Sequence, residues 1–199
     1  LGDQVDLENM PFYGLAEVKV AGRSCVISQS GFSGEAGYEI YLRDATLYAD
    51  DMWNAVLEVG KKHQLMVIAP AHHRRIQAGI LSWGQDMDQQ HNPYQCNLGY
   101  QVSLSGKGEW NKTSDYVGKA ALEKMGKELK DGKKPYALQL VGFEMGGKPI
   151  DDYAPDFWLI SNESGGDPVG FITSPWWHPE KKTNIAMGYV PFDGTLNAN

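Results

Sequence analysis

The sequence predicts an α+β fold in its first half and a β-rich continuation in its second. Two observations carry this. Up to about residue 83 the hydrophobic pattern alternates between strand and helix periods, the order expected when helices cover one face of an antiparallel sheet. From residue 136 onward, short apolar runs are separated by glycine-rich turns, which suggests a small antiparallel β-barrel or sandwich.

Each element has its own local cause. Residues 16–28 alternate apolar and polar side chains around Ala21-Gly22-Arg23, the pattern of a hairpin. A glycine-dense turn follows, and Tyr38-Glu39-Ile40-Tyr41-Leu42 reads as the next strand. Asp44 or Thr46 can cap a helix over residues 47–63, where Tyr48, Met52, Val56 and Leu57 recur at helical spacing. Residues 66–69 read as a short buried strand stopped by Pro70, and residues 73–83 as a second helix. Residues 85–93 are polar and loop-like, while residues 99–104 read as a strand. Residues 105–113, with Gly106 and Gly108, suit a boundary that divides the chain into 1–104 and 105–199. Ser114 or Asp115 can cap a helix reaching Glu128, with Val117, Ala121, Leu122 and Met125 as its apolar face. The β-rich end then comprises runs at 136–143, 157–160, 169–172 and 185–190, with Gly146-Gly147 and Gly165-Gly166 between them.

Composition narrows the function. The 199 residues are 42% hydrophobic, ordinary for a globular protein, and the net charge of −7 argues against a nucleic-acid partner, which needs a basic face. No apolar run approaches the roughly 18–20 residues of a membrane span. Cys25 and Cys96 lie far apart without metal-type spacing, so two free thiols in a reduced cytoplasmic protein are expected. The chain begins at Leu1 and stops at Asn199 soon after a strand-like run, and is expected to be part of something longer.

The most informative segment is SGFSGEAGYEI, residues 30–40. Gly31, Gly34 and Gly37 let the backbone turn tightly or approach a ligand, because glycine accepts positive φ without a Cβ clash. A carboxylate on the following strand can accept two parallel N–H donors from a planar heterocycle. The same segment also fits a glycine-rich hairpin with two solvated glutamates, Glu35 and Glu39. His72, His73, Arg74 and Arg75 form a basic cluster near a helix start, the wrong sign for the helix dipole, and fit either a candidate anion site or a solvated helix end. Adjacent histidines diverge by about 100° on a helix, which is poor metal-site geometry. Trp83-Gly84-Gln85-Asp86-Met87-Asp88 reads as an exposed polar loop, with a substrate-side loop as the alternative, and Ser174-Pro175-Trp176-Trp177-His178-Pro179 as an aromatic loop that either covers a flat ligand or plugs the space between two domains. No phosphate-binding glycine loop, metal-ligand cluster or nucleophile–His–acid set is present in the sequence.

Four segments in the same order resemble the aminomethyltransferase family, typified by the glycine-cleavage T-protein. Residues 31–40 resemble its GYTGE-x-G-x-E-I motif, and Arg75-Ile76-Gln77-Ala78-Gly79 its LRLEAG helix. Residues 115–122 resemble FIGK-x-AL. Thr173-Ser174-Pro175 with residues 184–190 resembles the "TS…SP…KNIAMGYV" stretch. The resemblance implies the C-terminal part of that fold: the second half of a ferredoxin-like folate-binding domain, then a truncated β-barrel domain. It implies tetrahydrofolate as cofactor and the missing N-terminal half of the same protein as a partner. Glu39 then stands where the family binds the pterin ring, with Tyr38 beside it. Phe32 stands where tyrosine is usual, and Arg75 matches the helix arginine near the folate tail or substrate carboxylate. Gln77 replaces a common glutamate.

Residues 81–88 and 92–96 look closer to the demethylase branch, such as dimethylsulfoniopropionate or aromatic O-demethylases. The expectation is transfer of an O- or S-methyl group from a small-molecule donor onto N5 of tetrahydrofolate. The alternatives are aminomethyl transfer in glycine cleavage and a non-catalytic folate-binding regulator. Trp83, Trp176 and Trp177 are the substrate-side candidates. The catalytic acid or base is unassigned and expected in the N-terminal half, and the methyl donor and oligomeric state are left open.

Overall fold

The computed structural model describes residues 4–103, 114–152 and 157–192. The chain forms two units, Leu1–Ile80 and Leu81–Asn199. The proposed boundary at residues 105–113 lies outside the described residues.

In the first unit, β1 (Leu15–Val20), β2 (Arg23–Ser28) and β3 (Glu39–Leu42) form an antiparallel sheet in the order β1-β2-β3. The Ala21-Gly22 turn, with both residues at positive φ, closes the hairpin as the sequence predicts. Alternation decides the faces. Val18 pairs with Cys25 and Cys25 with Leu42, placing all three on one side, while Val26 opposite Tyr41 and Ser28 opposite Glu39 point to the other. Helix α1 (Ala45–Gly60) covers the first side: Met52 joins Met10, Val18, Cys25 and Ile27 in one apolar cluster, flanked by Val56 and Leu42. Asp44 precedes α1 in a left-handed conformation and makes no side-chain cap, so the helix is held by this packing rather than by its N-terminus.

Residues 66–69 do not form the expected buried strand. Met66, Val67 and Ile68 are exposed, and no strand is assigned there. The apolar run has no ladder partner among the described residues of this unit, and Pro70 cannot donate to one. Helix α2 is also shorter than predicted, His72–Gln77. Gly79 at φ +70 turns the chain out, and Ile80 N–H returns to the Arg75 carbonyl at 2.8 Å.

The glycine-rich loop is seated on the end of α2. A Cβ at Gly34 (φ +74) would lie 2.3 Å from Ala78 Cβ, far inside contact distance. Gly34→Ala is therefore expected to destabilise this unit by about 2 kcal/mol, combining left-handed strain with displacement of α2. Urea unfolding checks it; a change within about 0.5 kcal/mol, the scale of an ordinary surface substitution, would show that the loop is not seated this way.

In the second unit, α3 (Lys119–Lys130) precedes β4 (Leu138–Met145), β5 (Trp158–Ser161), β6 (Pro168–His178) and β7 (Thr183–Pro191). The four strands form one antiparallel sheet, β4-β7-β6-β5. The predicted barrel is thus an open sheet among the described residues: four strands are too few to curl round and pair β5 with β4. The aromatic loop expected at residues 174–179 is largely strand, since β6 continues through Trp176, Trp177 and His178 in register with Ile185, Asn184 and Thr183. A register shift between Ile172 and Ser174 marks a bulge. Residues 99–101 form a 3-10 turn, where a strand was predicted to begin. Helix α3 starts later than expected, leaving Val117 outside it and exposed.

Leu140, Ile172, Ile185, Met187 and Tyr189 are buried in this unit. Residues 92–98 dock along β4. Leu140 N–H donates to the Gln95 carbonyl at 3.0 Å, and Asn97 Nδ2 donates to the Leu140 carbonyl at 2.6 Å. Gln139 Nε2 completes the contact with the Tyr94 and Gln95 carbonyls, at 3.1 and 3.2 Å.

Candidate functional site

In the first unit, the sheet face turned away from α1 carries Glu39, Tyr41 and Ser28 by strand alternation. Tyr41 Oη donates to Glu39 Oε2 at 3.0 Å, and Ser30 Oγ donates to the same oxygen. Ser30 also lies 3.1 Å from Ser28 Oγ, whose own hydrogen reaches the Gly14 carbonyl at 3.2 Å. With Glu39 ionised, each hydroxyl hydrogen has one acceptor: Ser30 and Tyr41 give theirs to the carboxylate, and Ser28 gives its own to the backbone. Glu39 Oε1 accepts no hydrogen bond among the described residues. The bond to Glu39 also pushes the Tyr41 phenol above its usual range.

Glu35 has a different environment. It is exposed and faces Arg74 at 3.5 Å. The two glutamates, equivalent in the bare motif, thus separate into a surface ion pair and a hydroxyl-held carboxylate.

The glycine loop, residues 68–71 and α2 line an open cavity of about 360 Å³, with Phe32, Ser33, Ile68, Pro70, His72 and Arg75 among its walls. That lies within the range of small-molecule sites. Arg75 is 1% exposed, an expensive position for a guanidinium, and its Nη1 donates to the Ile80 carbonyl at 3.2 Å. Its guanidinium carbon stands 5.9 Å from the centre of the Phe32 ring, within cation–π range. Burial, and then the charge of Arg75, lower the pKa of His72, favouring a neutral imidazole at the cavity wall. A flat ligand carrying an anionic group suits these walls: an aromatic ring, aliphatic side chains and one buried cation.

Of the sequence candidates, Phe32 and Arg75 share this cavity. Glu39 and Tyr38 are not among its lining residues. Tyr38 Oη donates to the Leu7 carbonyl at 2.6 Å, so it ties residues 4–14 to the sheet. Trp83, Trp176 and Trp177 belong to the second unit. Trp83 is exposed, and the other two are half-buried along β6.

Sequence reasoning missed a buried polar centre of the second unit. Asp86, expected in an exposed loop, is 1% exposed. Its Oδ1 accepts from the Thr173 and Ser174 hydroxyls, and its Oδ2 accepts from Ser82 N–H at 2.9 Å. Tyr189 Oη donates to the Asp86 carbonyl at 2.7 Å and lies 3.5 Å from Cys96 Sγ. Burial raises the Cys96 thiol and drives the Tyr189 phenol well above its usual range. No spacing rule links an acid to a Thr-Ser pair 87 and 88 positions away. Tyr41, by contrast, could be found: it sits two residues after Glu39 on the same strand face.

A two-stranded hairpin extended by a third strand, one covering helix and a glycine loop under a short basic helix define an α+β protein with a cavity beside a buried arginine. Comparison with known proteins gives the family. The model of the GCVT N-terminal domain matches residues 1–106, and the chain belongs to that family. It is 29% identical to an aminomethyltransferase of Halothermothrix orenii, across 95% of this chain and 48% of that protein. It is 30% identical to the dimethylsulfoniopropionate demethylase DmdA of Ruegeria pomeroyi, across 92% of this chain and 45% of that protein. Among solved structures, the glycine cleavage system aminomethyltransferase T from Bartonella henselae shares the fold with a TM-score of 0.68 at 23% identity, covering 92% of this chain and 45% of that one. The chain thus spans about half the length of the curated relatives it matches. Among the described residues, no helix is long and apolar enough to cross a membrane.

Proposed function

We propose that this chain is the folate-contacting part of a tetrahydrofolate-dependent transferase that moves a methyl group from an O- or S-methyl donor. The observation that carries the reading is the glycine loop seated on α2. It places Phe32 beside the buried Arg75 and leads directly into the strand bearing Glu39. Tetrahydrofolate supplies N5 as the methyl acceptor. Glu39 offers a fixed carboxylate to the N–H edge of a pterin, Phe32 a stacking face, and Arg75 a charge for a carboxylate. Trp83, Trp176 and Trp177 are proposed on the donor side. The residues of this chain bind and orient; proton transfer to the leaving group is assigned to the part of the protein outside this sequence. The two parts, 1–104 and 105–199, are proposed as a folate-binding domain portion and an accessory β-domain.

Aminomethyl transfer is the second reading, favoured by the H. orenii and B. henselae relatives. One experiment separates them. The full-length protein is incubated with tetrahydrofolate and methoxy-aromatic or dimethylsulfonium donors, and the folate products are resolved chromatographically. 5-Methyltetrahydrofolate is the expected product. Methylenetetrahydrofolate formed only from an aminomethyl donor would favour the second reading. Folate binding without turnover of any donor would leave a non-catalytic folate-binding regulator.

A further inference from the structure

We infer that Tyr41 is a specificity-determining residue that competes with the bound ligand for one oxygen of Glu39. This rests on the reading of Glu39 as the pterin-binding carboxylate. The argument is one of lone pairs. An ionised carboxylate has about four acceptor positions, two on each oxygen. Ser30 and Tyr41 both donate to Oε2, which fills that oxygen, while Oε1 accepts no hydrogen bond among the described residues. A ligand edge with two parallel N–H donors takes one oxygen with each. Such a ligand can close its second hydrogen bond only if a hydroxyl leaves Oε2. A ligand with a single donor needs Oε1 alone and displaces nothing.

Tyr41 is the hydroxyl that can leave. It is 55% exposed, so its phenol can exchange Glu39 for water by rotating its own side chain. Its backbone stays paired with Val26 in the sheet. Ser30 is half-buried and also contacts Ser28, so its departure would disturb a second hydroxyl. Because Glu39 raises the pKa of the Tyr41 phenol, the competing donor persists across the neutral range. Tyr41 therefore subtracts from the affinity of two-donor ligands and leaves one-donor ligands unaffected.

Tyr41→Phe in the full-length protein tests this, with binding measured for tetrahydrofolate and for its 2-desamino analogue, which lacks the exocyclic amine. Tetrahydrofolate is expected to bind about 3- to 10-fold tighter to the variant, the range set by one net hydrogen bond. The desamino analogue is expected to stay within about twofold of the unmodified protein. Equal or weaker tetrahydrofolate binding overturns the proposal, and so does the same gain for both ligands. Tyr41→Leu, which also lacks the hydroxyl, is expected to show the same selectivity between the ligands and guards against an effect peculiar to phenylalanine. Glu39→Gln run in parallel separates the layers. If it leaves tetrahydrofolate affinity unchanged, the underlying reading fails; if it weakens affinity while Tyr41→Phe fails to tighten it, only the competition fails.

Discussion

Glu39→Gln is expected to weaken tetrahydrofolate binding by about 1.5–3 kcal/mol, the scale of a hydrogen bond to a charged group. The carboxamide keeps the shape of the side chain but replaces one acceptor oxygen with an NH2 that faces donors. The amide oxygen can take the place of Oε2 and keep both the Ser30 and Tyr41 donors, so the loss should fall on the ligand rather than on the sheet. Glu35→Gln is the control. Glu35 faces Arg74 on the surface at 3.5 Å, and such exposed pairs contribute about 0–1 kcal/mol. Titration calorimetry on the full-length protein measures both. Unchanged affinity in Glu39→Gln, or equal losses in the two variants, would remove Glu39 from the site.

Asp86→Ala is expected to produce the largest loss of stability, about 3–5 kcal/mol in the second unit. The substitution removes the acceptor shared by the Thr173 and Ser174 hydroxyls and the Ser82 N–H on this buried carboxylate, while the Thr173 hydroxyl keeps the Met187 carbonyl at 3.1 Å. It also loosens the chain at the point where Tyr189 donates to the Asp86 carbonyl. Asp86→Asn keeps one acceptor and should lose about half as much. Urea unfolding followed by tryptophan fluorescence reports the change. A loss below about 1 kcal/mol would mean that these donors find water instead, and that Asp86 does not tie residues 82–86 to the sheet.

Local patterns were the readable part of this molecule. The hairpin at residues 15–28, the glycine turn into β3 and the stripe of α1 all follow from spacing a few residues long. The apolar face of the sheet follows from alternation through Val18, Cys25 and Ile27. What spacing could not show was pairing between distant segments. Residues 66–69 carry a strand-like composition but find no ladder, and Trp176 and Trp177 carry a loop-like composition but pair with β7. The case of Asp86 is the same: its partners lie in a strand that only the fold brings near. For the candidate site, the motif named Phe32, Glu39 and Arg75, yet Phe32 and Arg75 line a cavity that Glu39 does not. The difference between Glu35 and Glu39 became physical only when their partners, an arginine and two hydroxyls, were placed.

The docking of residues 92–98 along β4 has a colloidal consequence. A four-stranded open sheet has two borders where a neighbouring molecule could add a strand. On the β4 side, the Gln95 carbonyl and the Asn97 amide already occupy the main-chain groups of Leu140. The other border is β5, where Trp158 and Leu159 are exposed and would invite association. That strand is only four residues long and loses register between Ile160 and Ser161. Among the described residues, an incoming strand therefore meets the Leu140 main-chain groups already taken on one side and a short, kinked strand on the other, and growth of the sheet from molecule to molecule is hindered at both.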